Sequence, residues 1–217
     1  MTDKAIQFAE FTFGDTFGNI RDHVKVYGIQ FMRDKNSSRF LADAVSYIAR
    51  VEGTDGIWAQ AFSTEDADDR MVAGHRAKAL LWFVYPSSEV MVENDALLYA
   101  GQYSFPEDDA QSVYDDLKGK LSQVYGEAYY TGDDLTPALG ELQLSTDSAR
   151  QVYMEEVAKY KPQYTVWKSS VNNAFIVLKC YLENGDWERT LLLYITPEYD
   201  EYFMNAPAVD HNNFDGL

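Results

Sequence analysis

The chain of 217 residues is long enough to bury a substantial core, and 35 acidic against 18 basic residues give it a formal net charge of -17. This charge argues against nucleic acid as a partner, because phosphate binding needs clustered cations, and it favours solubility or a basic protein partner. The sequence has no apolar run of about 20 residues and no visible secretory signal, so we expect no membrane association and a cytoplasmic location.

The first predicted helix begins after Asp15 or Thr16, either of which can act as its N-cap. Its apolar residues recur at intervals of three, four and three, which is the spacing of one helical face, although Gly18 lowers the helix propensity. The segment ends in Val26-Tyr27-Gly28. The apolar positions are Phe17, Ile20, Val24 and Tyr27.

Strand-like sequence follows this helix, and we predict strands at 44–51, 57–62, 78–85 and 97–105. The polar stretch from 63 to 76 is predicted to be a surface loop.

A second helix is predicted from Glu107 to Tyr125, with Ser104 and Glu107 resembling a capping box and Gly126 as the C-terminal stop. It ends in Val124-Tyr125-Gly126, the same tripeptide that ends the first helix. This favours one helix-plus-sheet unit used twice, with halves at 1–103 and 104–197, and the alternative is two unrelated helices with similar ends. The apolar stripe is Ala110, Val113, Tyr114, Leu117, Leu121, Val124 and Tyr125.

A third helix is predicted at 147–160, a short strand at 164–170, and a long antiparallel hairpin at 174–195 around an Asn184-Gly185 turn. A two-residue turn pairs Leu182 with Trp187, Leu178 with Leu191 and Ile176 with Leu193 on the helix-facing side. The opposite face is then half polar near the turn and apolar at the base of the hairpin. Its polar side includes Lys179, Tyr181, Glu188 and Thr190.

This order of elements predicts an α+β fold, in which a mostly antiparallel sheet is packed on one side by helices, with two similar helix-sheet halves as one interpretation. No Pro/Gly/Ser-rich linker divides the chain, so we expect a single domain over 1–217. Residues 198–217 form an acidic tail without Lys or Arg.

Motifs for catalysis or metal binding are not found in the sequence. The three histidines stand alone, so none forms a metal-ligand pair, and the single cysteine, Cys180, lies in an apolar run and is predicted to be a buried hydrophobe. No glycine-rich phosphate loop or nucleophile elbow occurs, and nothing marks a base for the serines at 169 and 170. We therefore predict no catalytic residue, no metal and no cofactor. The histidines are His23, His75 and His211.

Aromatic residues are abundant, with 16 Tyr, 12 Phe and 4 Trp, and tyrosine exceeds what a core needs. Amphipathic rings on a sheet face or in a groove are good contacts for proteins and peptides, because they offer area at little entropic cost. The candidate binding residues are Trp58, Tyr99, Tyr103, Tyr129, Tyr130 and Tyr181.

The opening Phe11-Thr12-Phe13-Gly14-Asp15-Thr16, followed by a helix and strand-rich sequence, resembles small bacterial α+β proteins that begin with an aromatic-Gly-x-Ser/Thr motif. The later order of a helix, Tyr125-Gly126, Trp167 and two paired strands is similar to the same group. The resemblance implies a helix-plus-sheet unit that is often doubled. Phenylalanine stands here where tryptophan is more usual before Gly14, and the resemblance carries over no functional residue.

The first functional hypothesis is a non-catalytic binding protein that engages a protein or peptide through an aromatic-bearing surface. A more specific alternative is an acidic inhibitor or immunity-type protein for a basic partner. A third is a hydrolase that uses carboxylates or His75 in a cleft, and it requires titratable groups to converge.

Overall fold

The computed structural model describes residues 1–25, 29–33, 45–51, 72–84, 93–105, 109–133, 162–183 and 186–196. Several sequence predictions lie outside these ranges: the strand at 57–62, the helix at 147–160, the two turn sequences Val26-Tyr27-Gly28 and Asn184-Gly185, and the tail. The described elements are α1 (Phe17–Lys25), β1 (Ile29–Arg33), β2 (Val45–Val51), β3 (Lys78–Val84), a short 3-10 helix (Glu93–Asp95), β4 (Leu97–Phe105), α2 (Ala110–Tyr125), β5 (Tyr130–Gly132), β6 (Gln163–Lys168), β7 (Phe175–Glu183) and β8 (Asp186–Ile195).

The eight strands of the described ranges form one sheet in the order β1-β2-β3-β4-β8-β7-β6-β5. Every neighbouring pair is antiparallel. Phe17 of α1 and Tyr114 of α2 share one buried cluster with Phe83 of β3 and Leu178 of β7. Both helices therefore pack on the same side of the sheet, which confirms the predicted α+β class.

The order of elements repeats along the described chain. A helix followed by four strands occurs twice, as α1 with β1 to β4 (the first half) and α2 with β5 to β8 (the second half). The last strand of each half pairs with the other at the centre of the sheet, from Ala100 opposite Ile195 to Phe105 opposite Thr190. The architecture is thus repeated, while a duplication of sequence at 1–103 and 104–197 stays a prediction.

Helix α1 starts where the sequence predicts. The Thr16 hydroxyl oxygen accepts the backbone N–H of Asn19 at 3.3 Å, as an N-cap does. The Phe17 ring meets the Phe83 ring edge-on at a centroid distance of 5.2 Å. Gly18 has a packing role, because a Cβ there would lie 3.2 Å from Asn94. The glycine that weakens the helix therefore lets it approach the 3-10 helix.

Helix α2 begins later than predicted. Its N-cap is Asp109, whose carboxylate accepts the N–H of Ser112 at 3.0 Å, and Ser104 belongs to β4 instead of a capping box. Gly126 ends the helix with φ +81°, and its N–H donates to the Ser122 carbonyl at 2.9 Å. The predicted glycine stop is confirmed, since a left-handed residue is cheapest as glycine.

The hairpin of β7 and β8 contains a bulge that the sequence analysis missed. Leu182 faces Trp187 as predicted, but the register shifts between Tyr181 and Leu182, so Leu178 faces Leu192 and Ile176 faces Tyr194. The predicted partners Leu191 and Leu193 are wrong by one residue. An extra residue in one strand moves every later side chain to the other face.

One consequence of the bulge is that Thr190 lies on the helix-facing side instead of the outer face. It is fully buried, and its hydroxyl donates to the Ala110 carbonyl at the start of α2 at 2.6 Å. The same hydroxyl lies 3.7 Å from the Cys180 sulfur. A polar residue on the core side is tolerated here because its hydroxyl is bonded.

The sheet face away from the two helices is also buried near its centre. Trp82, Ala100, Tyr164, Val166 and Val177 are each almost fully inaccessible. Sequence analysis predicted a face that is half polar near the hairpin turn and apolar at its base. The buried centre of this face is unavailable to a partner.

Candidate functional site

The most polar cluster among the described residues joins a tight turn at 72–75 to helix α2. The His75 Nε2 atom lies 2.7 Å from an Asp116 carboxylate oxygen, and Lys120 Nζ donates to the same oxygen at 2.5 Å. Lys120 also donates to the Ala73 carbonyl at 2.6 Å. Helix α2 therefore binds the turn through the His75 side chain and through the Ala73 backbone carbonyl.

The chemistry of this cluster is that of a stabilised carboxylate. Hydrogen bonds from Lys120 first, and then from His75, lower the pKa of Asp116 below its usual value. A general acid needs the opposite shift. No charged side chain is among the buried polar residues of the described ranges, which are Thr2, Thr165, Ser169, Thr190 and Thr196.

Cys180 is confirmed as a buried hydrophobe. Burial raises the pKa of its thiol to about 11, although the nearby Thr190 hydroxyl acts in the other direction. A thiol with a raised pKa carries little thiolate at neutral pH and is a poor nucleophile. Within the described ranges no group of three or more His, Cys, Asp or Glu is arranged to hold a metal ion.

The five candidate aromatic residues that the structure describes do not form one cluster. Trp58 lies outside the described residues. Tyr99 and Tyr103 are buried, and the Tyr103 ring stacks on Phe8 at a centroid distance of 4.6 Å. These two rings belong to the core, and we remove them from the candidate surface.

The remaining candidates lie on strands β5 to β7 or next to them. Tyr130 and Tyr181 are half-buried, and Tyr129 is exposed. The Lys179 ammonium lies 4.1 Å from the Tyr181 ring centroid, and the Lys168 ammonium lies 5.8 Å from the Tyr129 centroid. Each is a cation-π contact. Tyr129 is thus the candidate ring that a partner can reach most easily.

Four large apolar side chains of the described residues are exposed, and they lie on segments that hydrogen bonds connect. They are Met1, Val124, Tyr129 and Val171, which are 71%, 49%, 38% and 61% exposed. We call these four residues the apolar end. Sequence analysis found only Tyr129 among them, and it placed Val124 in the buried stripe of α2.

Hydrogen bonds gather the segments that carry these four residues. The Lys4 ammonium donates to the Val124 carbonyl at the end of α2 at 2.6 Å. The Trp167 indole N–H donates to the Gly126 carbonyl at 3.1 Å, and the Tyr129 N–H donates to the Val166 carbonyl at 2.7 Å. The end of α2, the start of β5 and the end of β6 therefore meet here.

The N-terminus joins the same place through backbone pairing. The Thr2 N–H donates to the Lys168 carbonyl at 2.8 Å, and the Ser170 N–H donates to the Thr2 carbonyl at 2.9 Å. These bonds bring Met1 beside the turn that carries Val171. Sequence analysis did not single out Val171, although an apolar residue between the polar Ser170 and Asn172 is a signal that would have indicated this surface.

Comparisons with protein-family models, curated proteins and solved structures give no significant match to this chain. Among the described helices, none is long and apolar enough to cross a membrane.

Proposed function

We propose that this protein is a non-catalytic binding protein that engages a protein or peptide through the apolar end. The observation that supports this proposal is that hydrogen bonds connect the segments that carry the exposed side chains of Met1, Val124, Tyr129 and Val171. Exposed apolar area is costly to keep in water, and a large patch of it often marks an interaction surface.

The chemistry of the apolar end suits a protein partner. Tyrosine and methionine are enriched at interfaces, because they bury much area and a tyrosine hydroxyl can remain hydrogen-bonded. Lys168 beside Tyr129 supplies a cation at this surface, in a chain whose net charge is strongly negative. Burial of the apolar groups would provide the affinity, and the polar rim would orient the partner.

A basic partner is the second candidate, and the net charge of -17 favours it. An acidic inhibitor attracts its target through long-range electrostatics, which raises the association rate at low salt. Salt screens such attraction between exposed charges, whereas apolar burial persists. The two candidates therefore differ in their dependence on salt.

The test is a pull-down from lysate at low and high salt, with mass spectrometry of the retained proteins. The bait is compared with a variant that combines Val124→Ser, Tyr129→Ser and Val171→Ser. The matched control is Asn19→Ser, which alters an exposed residue of α1 outside the apolar end. We expect a protein retained at both salt concentrations by the wild type and the control, and lost with the triple variant.

Two results would count against the proposal. Retention of the same protein by the triple variant would show that the apolar end is not the contact surface. Retention only at low salt would favour the basic partner. Circular dichroism of each variant confirms that the fold is intact before binding is compared.

A further inference from the structure

Residues 2–8, which we call the N-terminal segment, lie in a groove formed largely by the second half. From Ala5 to Phe8 the side chains alternate in burial, with Ile6 and Phe8 inside and Ala5 and Gln7 outside, and Thr2 is buried ahead of a bend at the exposed Asp3 and Lys4. The alternation over 5–8 is that of an extended peptide with one face bound.

The first contacts of the groove are made with the main chain of the segment. The hydroxyl of Ser170 donates to the Thr2 carbonyl at 3.0 Å, in addition to the two backbone bonds of Thr2. The Ser169 hydroxyl donates to the Lys4 carbonyl at 2.7 Å. These bonds recognise peptide groups and do not depend on the side chains of the segment.

Asn172 continues this main-chain recognition. Its side-chain amide donates to the Ile6 carbonyl at 2.8 Å, and its side-chain oxygen accepts the Ile6 N–H at 3.3 Å. One asparagine thus satisfies both backbone groups of a residue 166 positions away in sequence. This two-sided bond mimics the pairing that a neighbouring strand would supply.

Side chains of the segment enter two closed positions. Ile6 and Phe8 are fully buried. The Phe8 ring stacks on Tyr103 and meets the Tyr194 ring edge-on at a centroid distance of 5.7 Å. Phe8 also covers Gly101, where an added Cβ would overlap its ring. Gly101 therefore leaves an opening at the centre of the sheet that a flat ring fills.

We propose that this groove is a peptide-binding groove, which the chain fills with its own N-terminal segment, and that it accepts an extended segment of a partner in its place. Main-chain bonds with pockets for alternate side chains are how proteins bind extended peptides. The ligand class follows from the present occupant: an extended segment with an aliphatic residue two positions before an aromatic one.

A partner must overcome the advantage of the attached segment, whose effective concentration is on the order of millimolar for a short tether. The apolar end borders the groove, since Lys4 donates to the Val124 carbonyl and Thr2 pairs with Lys168 and Ser170. The exposed side chains of Val124, Tyr129 and Val171 remain available to a partner after the N-terminal segment, with Met1, is displaced. In this respect the inference rests on the proposed function. The groove itself is tested separately, with peptides alone.

The experiment cleaves the full-length chain directly after the N-terminal segment. A recognition sequence for a specific protease is inserted between Ala9 and Glu10, which are both exposed in the turn closed by the Phe8 and Phe11 backbones. After cleavage, the protein is incubated with a fluorescent peptide that has the sequence of residues 1–9. We expect the cleaved protein to keep its circular dichroism spectrum and to take up one peptide, while the uncleaved protein takes up at least about 20-fold less.

Changes in the peptide and in the groove define its specificity. Phe8→Ala in the peptide should weaken binding about 100-fold, because a buried ring is lost. Asn172→Ala in the protein should weaken binding of the unchanged peptide about 10-fold, because both Ile6 backbone groups lose a partner. Asn19→Ala, at an exposed site of the first half, is the control and should leave binding unchanged.

Three outcomes would overturn the inference. Unfolding upon cleavage, or no peptide exchange over days, would make residues 2–8 an integral part of the core. Equal binding of the Phe8→Ala peptide would remove the aromatic position as a determinant. Because no partner protein is used, failure here leaves the pull-down result intact, and a failed pull-down leaves this result intact.

Discussion

The first and second halves share an order of elements but differ in what they expose. The second half carries Val124, Tyr129 and Val171 on its surface, and the N-terminal segment brings Met1 to them. Apart from Met1, the first-half residues whose side chains the structure describes include no exposed large apolar side chain. A repeated architecture thus has one end suited to contact a partner, and the difference indicates which half to test.

The halves also differ in how their helices are fixed. In the second half, side chains bind α2 to the sheet: the Tyr114 hydroxyl lies 2.6 Å from the Thr165 hydroxyl, and Thr190 bonds to Ala110. In the first half, the chain entering α1 is fixed by backbone pairing, as when the Phe17 N–H donates to the Ala96 carbonyl at 2.7 Å. Side-chain substitutions should therefore damage the second attachment more than the first.

The largest effect should come from the contact that joins the halves. Phe8→Ala removes a buried ring from the centre of the sheet, and we expect a loss of about 3–5 kcal/mol in the free energy of unfolding, measured with urea. Gly101→Ala should cost about 1–3 kcal/mol, because its Cβ overlaps the ring.

The double variant sharpens this prediction. Without the Phe8 ring, the Cβ at position 101 has space. The loss of unfolding free energy in the double variant should therefore be smaller than the sum of the two single losses. Gly119→Ala is the control, since nothing lies within 4 Å of an added Cβ there, and it should be neutral or stabilising. Strictly additive losses would mean that Phe8 and Gly101 do not interact as described.

The hydrogen bond between the Tyr114 and Thr165 hydroxyls, which connects α2 to the sheet, should give the next largest effect. Tyr114→Phe leaves the Thr165 hydroxyl without its closest partner in a buried site, and we expect a loss of about 1–2 kcal/mol in thermal or urea unfolding. The control is Thr131→Val. The Thr131 hydroxyl lies farther from the Thr165 hydroxyl, at 3.5 Å. Equal losses in the two variants would contradict a specific role for Tyr114.

Caps allow a direct comparison of the two helices. Asp109→Ala should cost about 1 kcal/mol, because the carboxylate accepts the Ser112 N–H at 3.0 Å. Thr16→Ala should cost less, since its bond to Asn19 is longer at 3.3 Å. Urea unfolding of both single variants measures the difference. The reverse order would show that α1 depends on its cap more than α2 does.

The smallest effect concerns pH and the Asp116 cluster. The pKa of Asp116 is lower in the folded protein than in the unfolded chain, so its contribution to stability is present above the unfolded pKa and is lost as pH falls through the folded pKa. Asp116→Asn should remove this part of the acid dependence while leaving stability near neutral pH only slightly reduced, because the site is exposed. Unfolding curves between about pH 2 and pH 7 measure the slope, and identical slopes would contradict the shift.

Sequence periodicity predicted those elements that local signals determine. The Thr16 cap, the Gly126 stop and the strands near 45–51, 78–84 and 97–105 follow from spacing, capping and β propensity. The short edge strands β1 and β5 were missed, since β5 has only three residues and cannot show an alternating pattern.

Other features depended on contacts that no local pattern encodes. The bulge near Glu188 has no glycine to mark it, and it moved Thr190, Leu192 and Tyr194 to the helix-facing side. Ser169 and Asn172 looked like ordinary turn residues because their partners lie more than 160 positions away. Val124 follows the helical stripe but is exposed in the last turn of α2, where its neighbour Tyr125 packs against the core instead.

The most direct test of the proposed function places a photo-crosslinking amino acid at Tyr129 and, in a separate protein, at Asn19 of the first half. Both positions are exposed, so they differ in the surface they report and not in access to solvent. After irradiation in lysate, we predict that position 129 yields a crosslinked protein that an excess of unlabelled wild type displaces, and that position 19 does not. The same crosslinked protein from both positions, or a product at 129 that the wild type fails to displace, would contradict binding through the apolar end.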